Sequence, residues 1–275
     1  MPARSATHSR GFTLVEMVMV IVILGILGGL TMGILLQPFR AFQDQARRAA
    51  LVAEGDLALT RMVRELRMAV PNSVRVAGSG RYLEFIPSID GGRYRAAADP
   101  ADPASDALDF SSADSSFEVV GGLPGWGQPG GSAVGDEVVI YNATASGSGA
   151  NAYLGDNRAT IASYSAGVLG LSSPKLFPFP SLGAQRFDIV PASGPVSYYC
   201  HGNQLRRHTG YGYAGTQSTA FTDHGALLAD RVSLCEFRYQ PGDHVRNGLV
   251  SLHLAISNDG ETITLLYQAQ VVNAP

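Results

Sequence analysis

The chain has 275 residues, of which 45% are hydrophobic and 16% are charged, and its formal net charge at pH 7 is −3. This slightly acidic balance gives no general reason to expect nucleic acid as a partner. The length is sufficient for one folded domain of about 200 residues, in one lobe or two, beside a shorter specialised segment.

A long apolar segment lies close to the N-terminus. Residues 12–36 carry a single charge, at Glu16. A helix of this length spans the hydrocarbon core of a bilayer, which is about 30 Å thick, and a helix satisfies its own backbone there. A carboxylate in such a segment indicates a functional residue that needs a partner. The next basic residue after Glu16 is Arg40, about six helical turns away. Within one chain, the only cation close to the Glu16 carboxylate would therefore be a new α-amino group, created by cleavage of the chain before Phe12.

The residues around this charge form a specific motif. Residues 11–16, with the sequence GFTLVE, follow a short basic leader and precede the apolar segment, and this arrangement resembles the prepilin signal of type IV pilins and type II secretion pseudopilins. The resemblance implies that a prepilin peptidase cleaves between Gly11 and Phe12 and that Phe12 is then N-methylated. It also implies that Glu16 pairs with the N-terminus of a neighbouring subunit during assembly. The alternative, a secretory signal, has an apolar core of only about 7–15 residues.

The charges that flank the apolar segment bear on its orientation. Arg4 and Arg10 favour a cytoplasmic N-terminus, and arginines at 40, 47 and 48 on the other side weaken that preference. The prepilin resemblance implies a single pass through the bacterial inner membrane, a C-terminal domain in the periplasm, and later a place in a pilus at the cell surface. In that compartment Cys200 and Cys235 are predicted to form a disulfide, the alternative being two buried free thiols.

The sequence divides into four predicted segments. They are a leader at 1–11, a transmembrane and assembly helix at 12–36, an amphipathic helix at 37–70, and a β-rich domain at 71–275. Apolar residues between Leu51 and Val70 recur at spacings of three and four, with one gap at Gly55. Pro71 is predicted to end the helix. Glycines in the apolar segment, such as Gly25 and Gly29, have the spacing that lets membrane helices pack closely.

Beyond residue 71 the pattern is that of short strands separated by turns. The clearest signal is a hairpin in which 250–256 and 263–271 alternate around Asn258, Asp259 and Gly260. We therefore predict an α+β fold, in which the long N-terminal helix packs on a mainly antiparallel, pilin-like β-sheet domain. The other predicted strands are 73–76, 82–86, 117–120, 137–141, 186–190, 196–200 and 234–239.

Four further segments carry a softer resemblance. Residues 44–52, 64–67, 70–75 and 268–275 are similar to the O-type minor pilins of the mannose-sensitive haemagglutinin (MSHA) pilus and to J-type minor pseudopilins. This implies a subunit near the filament tip that initiates assembly and supports adhesion. Its partners would be the prepilin peptidase, the major and other minor pilins, and the inner membrane. The alternatives are a type II secretion minor pseudopilin, or a tip adhesin whose globular domain binds a surface or a glycan.

No catalytic, cofactor or metal site is predicted. The chain lacks the G-x-S-x-G, H-E-x-x-H and C-x-x-C motifs, and the G-x-G-x-x-G match at 210–215 falls in a predicted loop. The aspartates between 99 and 114 lack the spacing of a calcium loop and predict a solvated turn. A group of tyrosines is either a binding surface or a set of half-buried loop residues. It consists of Tyr198, Tyr199, Tyr211 and Tyr213, and the loop at 202–219 is the feature that permits an adhesin.

Overall fold

The structure is a computed structural model that describes residues 11–181, 183–221, 225–242 and 246–273, with the backbone alone at 33–40. The predicted leader therefore lies outside the described residues except for Gly11. The chain divides into two compact units, one that ends at Ala50 and one that begins at Leu51.

The described residues form one α-helix followed by fourteen β-strands. In chain order they are α1 (Leu14–Leu66), β1 (Arg75–Ala77), β2 (Tyr82–Phe85), β3 (Asp90–Tyr94), β4 (Asp114–Val120), β5 (Glu137–Val139), β6 (Arg158–Ser165), β7 (Val168–Lys175), β8 (Arg186–Val190), β9 (Val196–His201), β10 (Gln204–His208), β11 (Ala226–Ala229), β12 (Val232–Gln240), β13 (Gly248–Asn258) and β14 (Glu261–Val271). All the strand pairs are antiparallel. The predicted α+β class is confirmed.

In the first unit, α1 contains a 19-residue stretch, Leu14–Met32, that is long and apolar enough to cross a membrane. The described side chains of this stretch are exposed. The helix continues through Gly25, Gly28 and Gly29, where an added Cβ would meet no atom within 4 Å. Such open glycine surfaces are suited to close packing against other helices.

The predicted end of α1 at residue 70 is wrong, because the helix ends at Leu66. The next residues bond instead to the segment that follows β2. The Val70 amide donates to the Ile86 carbonyl at 2.9 Å, and the Ser88 amide donates to the Met68 carbonyl at 2.8 Å. These bonds satisfy backbone groups that a further helical turn would have used. Pairing with a distant segment therefore fixes the end of the helix, in addition to the restriction that Pro71 places on the residue before it.

In the second unit, the end of α1 and two sheets enclose one hydrophobic core. The five-stranded sheet has the order β1-β2-β9-β10-β11, and the three-stranded sheet has the order β12-β13-β14. The predicted apolar face of the helix is confirmed, since Leu59, Met62 and Leu66 are at most 1% exposed and pack in this core. The gap in that face has a steric cause. A Cβ on Gly55 would lie 2.6 Å from the Leu265 Cδ1 atom.

Six strands close into a barrel that the sequence did not predict. Around the barrel they follow the order β3-β4-β7-β6-β5-β8. Its interior is a second core that includes Phe117, Ile161 and Phe187. In sequence the barrel lies between β2 and β9, yet β2 and β9 pair directly with Phe85 opposite Val196. The barrel is thus inserted between two neighbouring strands of the five-stranded sheet.

A disulfide joins Cys200 on β9 to Cys235 on β12, with a Cα–Cα distance of 6.3 Å. The predicted cysteine pair is confirmed. Since β9 and β12 belong to different sheets, the bond connects the two sheets that share the first core.

Candidate functional site

The segment predicted to be cleaved precedes α1 and is exposed. Residues 11–13 lie outside the helix, and 78% of the Phe12 surface is accessible. An added Cβ on Gly11 would meet no atom within 4 Å. Exposed segments outside regular structure are where proteases act most readily. The peptide bond between Gly11 and Phe12 is therefore in a conformation that a peptidase can approach.

Thr13 caps the helix that follows. Its hydroxyl oxygen accepts a hydrogen bond from the Glu16 amide at 3.3 Å. The spacing Thr-x-x-Glu is that of a capping box, in which the acid also favours the positive end of the helix dipole. Sequence reasoning assigned Glu16 to assembly and missed this local role. The signal was present in residues 13–16.

Glu16 has no cation near it within the part of the chain that the structure describes. Its side chain is exposed on the first turn of α1, and among the described residues its carboxylate forms no hydrogen bond or ion pair, since the bond to the Thr13 hydroxyl is made by the Glu16 backbone amide. A carboxylate on an apolar helix is costly in a bilayer unless it is paired. The arrangement leaves this charge available to a group from another molecule.

The rest of the apolar stretch is compatible with lipid. Thr31 lies among the apolar residues, and its hydroxyl donates to the Leu27 carbonyl at 2.9 Å. This bond satisfies within the helix a group that lipid would leave unpaired. Glu16 is therefore the residue of this stretch whose charge still requires a partner.

The tyrosines considered as a binding surface are instead part of the fold. Tyr198 and Tyr199 lie on β9 and are 0% and 3% exposed. The Tyr211 hydroxyl donates to Glu84, and the Tyr213 hydroxyl donates to the Pro191 carbonyl, both at 2.9 Å. The structure supports the alternative interpretation, in which these rings are core and half-buried residues.

The loop that contains the G-x-G-x-x-G match has a structural role. The Arg75 guanidinium donates to the Ala214 carbonyl at 2.8 Å and to the Gly215 carbonyl at 2.9 Å. The broader region at 202–219, considered as an adhesive loop, also contains strand β10. Deleting it would remove a strand of the five-stranded sheet, so it is not a separable binding loop.

The aspartates between 99 and 114 accept hydrogen bonds from residues 99–116 of the same segment. Asp99 and Asp102 each accept a backbone amide two residues ahead, and Asp106 accepts the Ser116 hydroxyl. Hydrogen bonds from Ser112 and Ser111 lower the pKa of Asp109 to about 2. Among the described residues, no group of three or more His, Cys, Asp and Glu side chains is placed to hold a metal ion.

One comparison with known proteins concerns this N-terminal site. The family described as "Prokaryotic N-terminal methylation motif" matches residues 7–32. No curated protein and no solved structure matches the chain. The matched residues include Gly11, Phe12, the Thr13 cap and Glu16. Together with the apolar helix, the match supports a type IV pilin-like or pseudopilin-like protein that is processed by a prepilin peptidase and anchored in a membrane by its N-terminal helix.

Proposed function

We propose that this protein is a minor type IV pilin of the MSHA kind, a structural and non-catalytic subunit that enters a pilus at or near its tip and helps to initiate assembly. Cleavage after Gly11 exposes the Phe12 amine, which is then methylated. The observation that carries the proposal is the Glu16 carboxylate, which has no ion-pair partner among the described residues and lies one helical turn from that new cationic end. In a filament the amine of one subunit can neutralise the carboxylate of the next.

We also propose where the protein is located before and after assembly. The chain spans the inner membrane once through the apolar part of α1 until it is incorporated, and its second unit lies in the periplasm. The disulfide between Cys200 and Cys235 supports this location, because disulfides form and persist in oxidising compartments such as the periplasm.

The test separates assembly from helix capping. Glu16→Ala removes the carboxylate charge. Thr13→Ala keeps that charge and removes the helix cap, which contributes about 1 kcal/mol to helix stability. We expect both variants to be processed, and Glu16→Ala to be missing from filaments while Thr13→Ala is still incorporated. The measurements are mass spectrometry of the N-terminus and immunoblots of sheared filaments. Normal incorporation of Glu16→Ala, or equal losses in both variants, would contradict the proposal.

A second function, adhesion at the tip, is favoured by the inserted barrel. Because β2 and β9 pair directly, the five-stranded sheet does not need the barrel strands to complete its order. An inserted lobe of this kind provides a surface that can change without altering the assembly helix. We propose that the barrel carries the adhesive surface.

A further inference from the structure

A cleft of about 590 Å³ lies between the residues that follow α1 and strands β3 and β8 of the barrel. This volume is within the range of small-molecule sites, about 300–1,000 Å³. Three arginines line it, together with two aspartates and a tyrosine. These residues are Arg67, Arg93, Arg186, Asp90, Asp188 and Tyr141.

Two arginines of the cleft are placed so that their positive charges repel each other in the folded chain. Arg93 and Arg186 are directly opposite each other on β3 and β8, and like charges in that position are destabilising. Within the described residues, Arg67, Arg93 and Arg186 are exposed, and none of them forms an ion pair.

Other barrel arginines are neutralised within the fold. Arg95 pairs with Glu118, and Arg158 pairs with Glu137. The chain as a whole is acidic, with a net charge of −3. In the cleft three arginines outnumber two aspartates, so its lining carries a net positive charge within an acidic chain, and the arrangement suits an anionic ligand.

The aspartates identify the class of anion. Asp188 accepts the Ser88 hydroxyl at 2.7 Å, and Asp90 accepts the Ser132 hydroxyl at 2.6 Å. A carboxylate has about four lone-pair sites, so each can accept further bonds. A DNA backbone offers phosphate charge to the arginines, but its phosphodiester-linked deoxyribose has no hydroxyl to donate to the aspartates. An acidic sugar offers a carboxylate to the arginines and hydroxyl donors to the aspartates.

Tyr141 also lines the cleft. Its φ angle is 52°, in the left-handed region that is uncommon for a residue with a bulky side chain. Its ring contacts Phe179 edge-on, with 5.8 Å between the ring centroids. Strained backbone of this kind is concentrated at ligand sites, and a tyrosine presents an apolar face beside a polar tip, as a sugar ring requires.

We propose that this cleft binds an acidic sugar of the uronic-acid class within a surface polysaccharide, with Arg93 and Arg186 holding the sugar carboxylate and Arg67 completing the cationic wall. Arginine is suited to this task because its planar guanidinium binds a carboxylate through two parallel hydrogen bonds. The inference rests on the adhesive function proposed above, and it identifies this cleft of the barrel as the binding site for that function.

The experiment measures binding of the purified full-length chain in detergent to immobilised polygalacturonate. Neutral dextran and single-stranded DNA serve as competing probes. We expect polygalacturonate to be bound in preference to both. Arg93→Gln and Arg186→Gln should each weaken binding about tenfold or more, as expected for loss of a charged hydrogen-bonded contact.

Arg238→Gln is the matched control, since this arginine is 73% exposed, lies on β12 and pairs with Glu236. It should leave binding unchanged. Arg93→Gln should not lower the melting temperature, because it relieves a like-charge pair. The proposal is overturned if polygalacturonate does not bind, if both cleft variants bind normally, or if DNA is preferred. Because binding is measured on the isolated chain, its failure is distinct from a failure of filament assembly.

Discussion

At the scale of single residues, Glu84 shows how this fold holds a buried charge. Its side chain is 0% exposed, and it accepts hydrogen bonds from the Arg75 Nε at 2.7 Å and from the Tyr211 hydroxyl at 2.9 Å. Arg75 also stacks on the Tyr153 ring, 3.6 Å from its centroid. The guanidinium therefore neutralises the acid and contacts several segments at once.

Replacing this guanidinium should be strongly destabilising. Arg75→Met leaves Glu84 buried without its cation, a change that costs about 3–5 kcal/mol. The measurement is urea unfolding of the full-length chain in detergent, followed by the fluorescence of Trp126, the single tryptophan. Arg238→Met, at a site 73% exposed, should change stability by less than about 1 kcal/mol. Similar losses in the two variants would contradict the assigned role of Arg75.

At Gly55 the helix lies too close to the sheet to leave room for a side chain. A Cβ there would lie 2.6 Å from Leu265 Cδ1 and 3.2 Å from Ile256 Cδ1. Gly55→Leu should therefore lower the free energy of unfolding by about 1–3 kcal/mol, as overpacking does. Ala53→Leu, two residues away at an exposed position, should change it by less than about 0.5 kcal/mol. The same urea titration compares them, and equal stability would show that the sheet can move to accept the side chain.

At the scale of elements, the disulfide connects two sheets whose strands pair only within each sheet. Cys200 and Cys235 are 35 residues apart in sequence. Closing a loop of this length removes freedom from the unfolded chain, which corresponds to about 2–4 kcal/mol of stability. Reduction should therefore shift the urea midpoint of the wild-type chain downward. A Cys200→Ala, Cys235→Ala variant should begin at the lower midpoint and show no further shift with reductant, and an unchanged wild-type midpoint would contradict the prediction.

Local patterns predicted some elements well and missed others. The terminal hairpin is confirmed, with Ile256 opposite Ile263 and Asp259 and Gly260 both at positive φ in the turn. Strand β3 was missed because Gly91 and Gly92 have low strand propensity. Strand β7 was missed for the same reason, because it contains a glycine and a proline, which also have low strand propensity. These strands form because partners elsewhere in the barrel complete their hydrogen bonds.

At the scale of the whole molecule, acid stability depends on contacts between distant elements. Glu65 on α1 accepts hydrogen bonds from Arg61 at 3.0 Å and from Arg207 on β10 at 2.9 Å. Burial opposes its ionisation, but the bonds from these arginines outweigh that effect and place the pKa of Glu65 below its ordinary value of 4.5. The ionised form therefore stabilises the fold.

The sign of the pH dependence follows from this lowered pKa. The contribution of Glu65 is complete above about pH 4.5 and is lost as the pH falls through its folded-state pKa. Glu65→Gln should thus be less stable than wild type near neutral pH, and the difference should shrink below pH 4.5. Asp109→Asn should alter a lower window, between about pH 4 and 2, because its pKa is about 2. Melting temperatures between pH 7 and 2 check both, and a Glu65→Gln difference that is constant with pH would contradict the assignment.

The amino-acid sequence alone was enough to predict the membrane-capable apolar segment, the apolar face of α1, the cysteine pair and the α+β class. The apolar segment, the helix face and the strands are recognised from local spacing, and the cysteine pair follows from two cysteines in a chain whose prepilin motif predicts an oxidising compartment. The roles of Gly11, Phe12 and Glu16 also follow from neighbouring residues alone. They remain predictions until the N-terminus and the filaments are examined.

The tertiary fold was needed to show that a barrel closes between β2 and β9 and that the four tyrosines take core and half-buried positions. It also brought Arg93 and Arg186 together, although 92 residues separate them in the chain. Strand pairing over such distances depends on register and on which faces of the strands are buried. Neither can be predicted from the residues adjacent to Arg93 or Arg186 in the chain. The same reason explains why α1 ends at Leu66, where a distant segment supplies its hydrogen-bond partners.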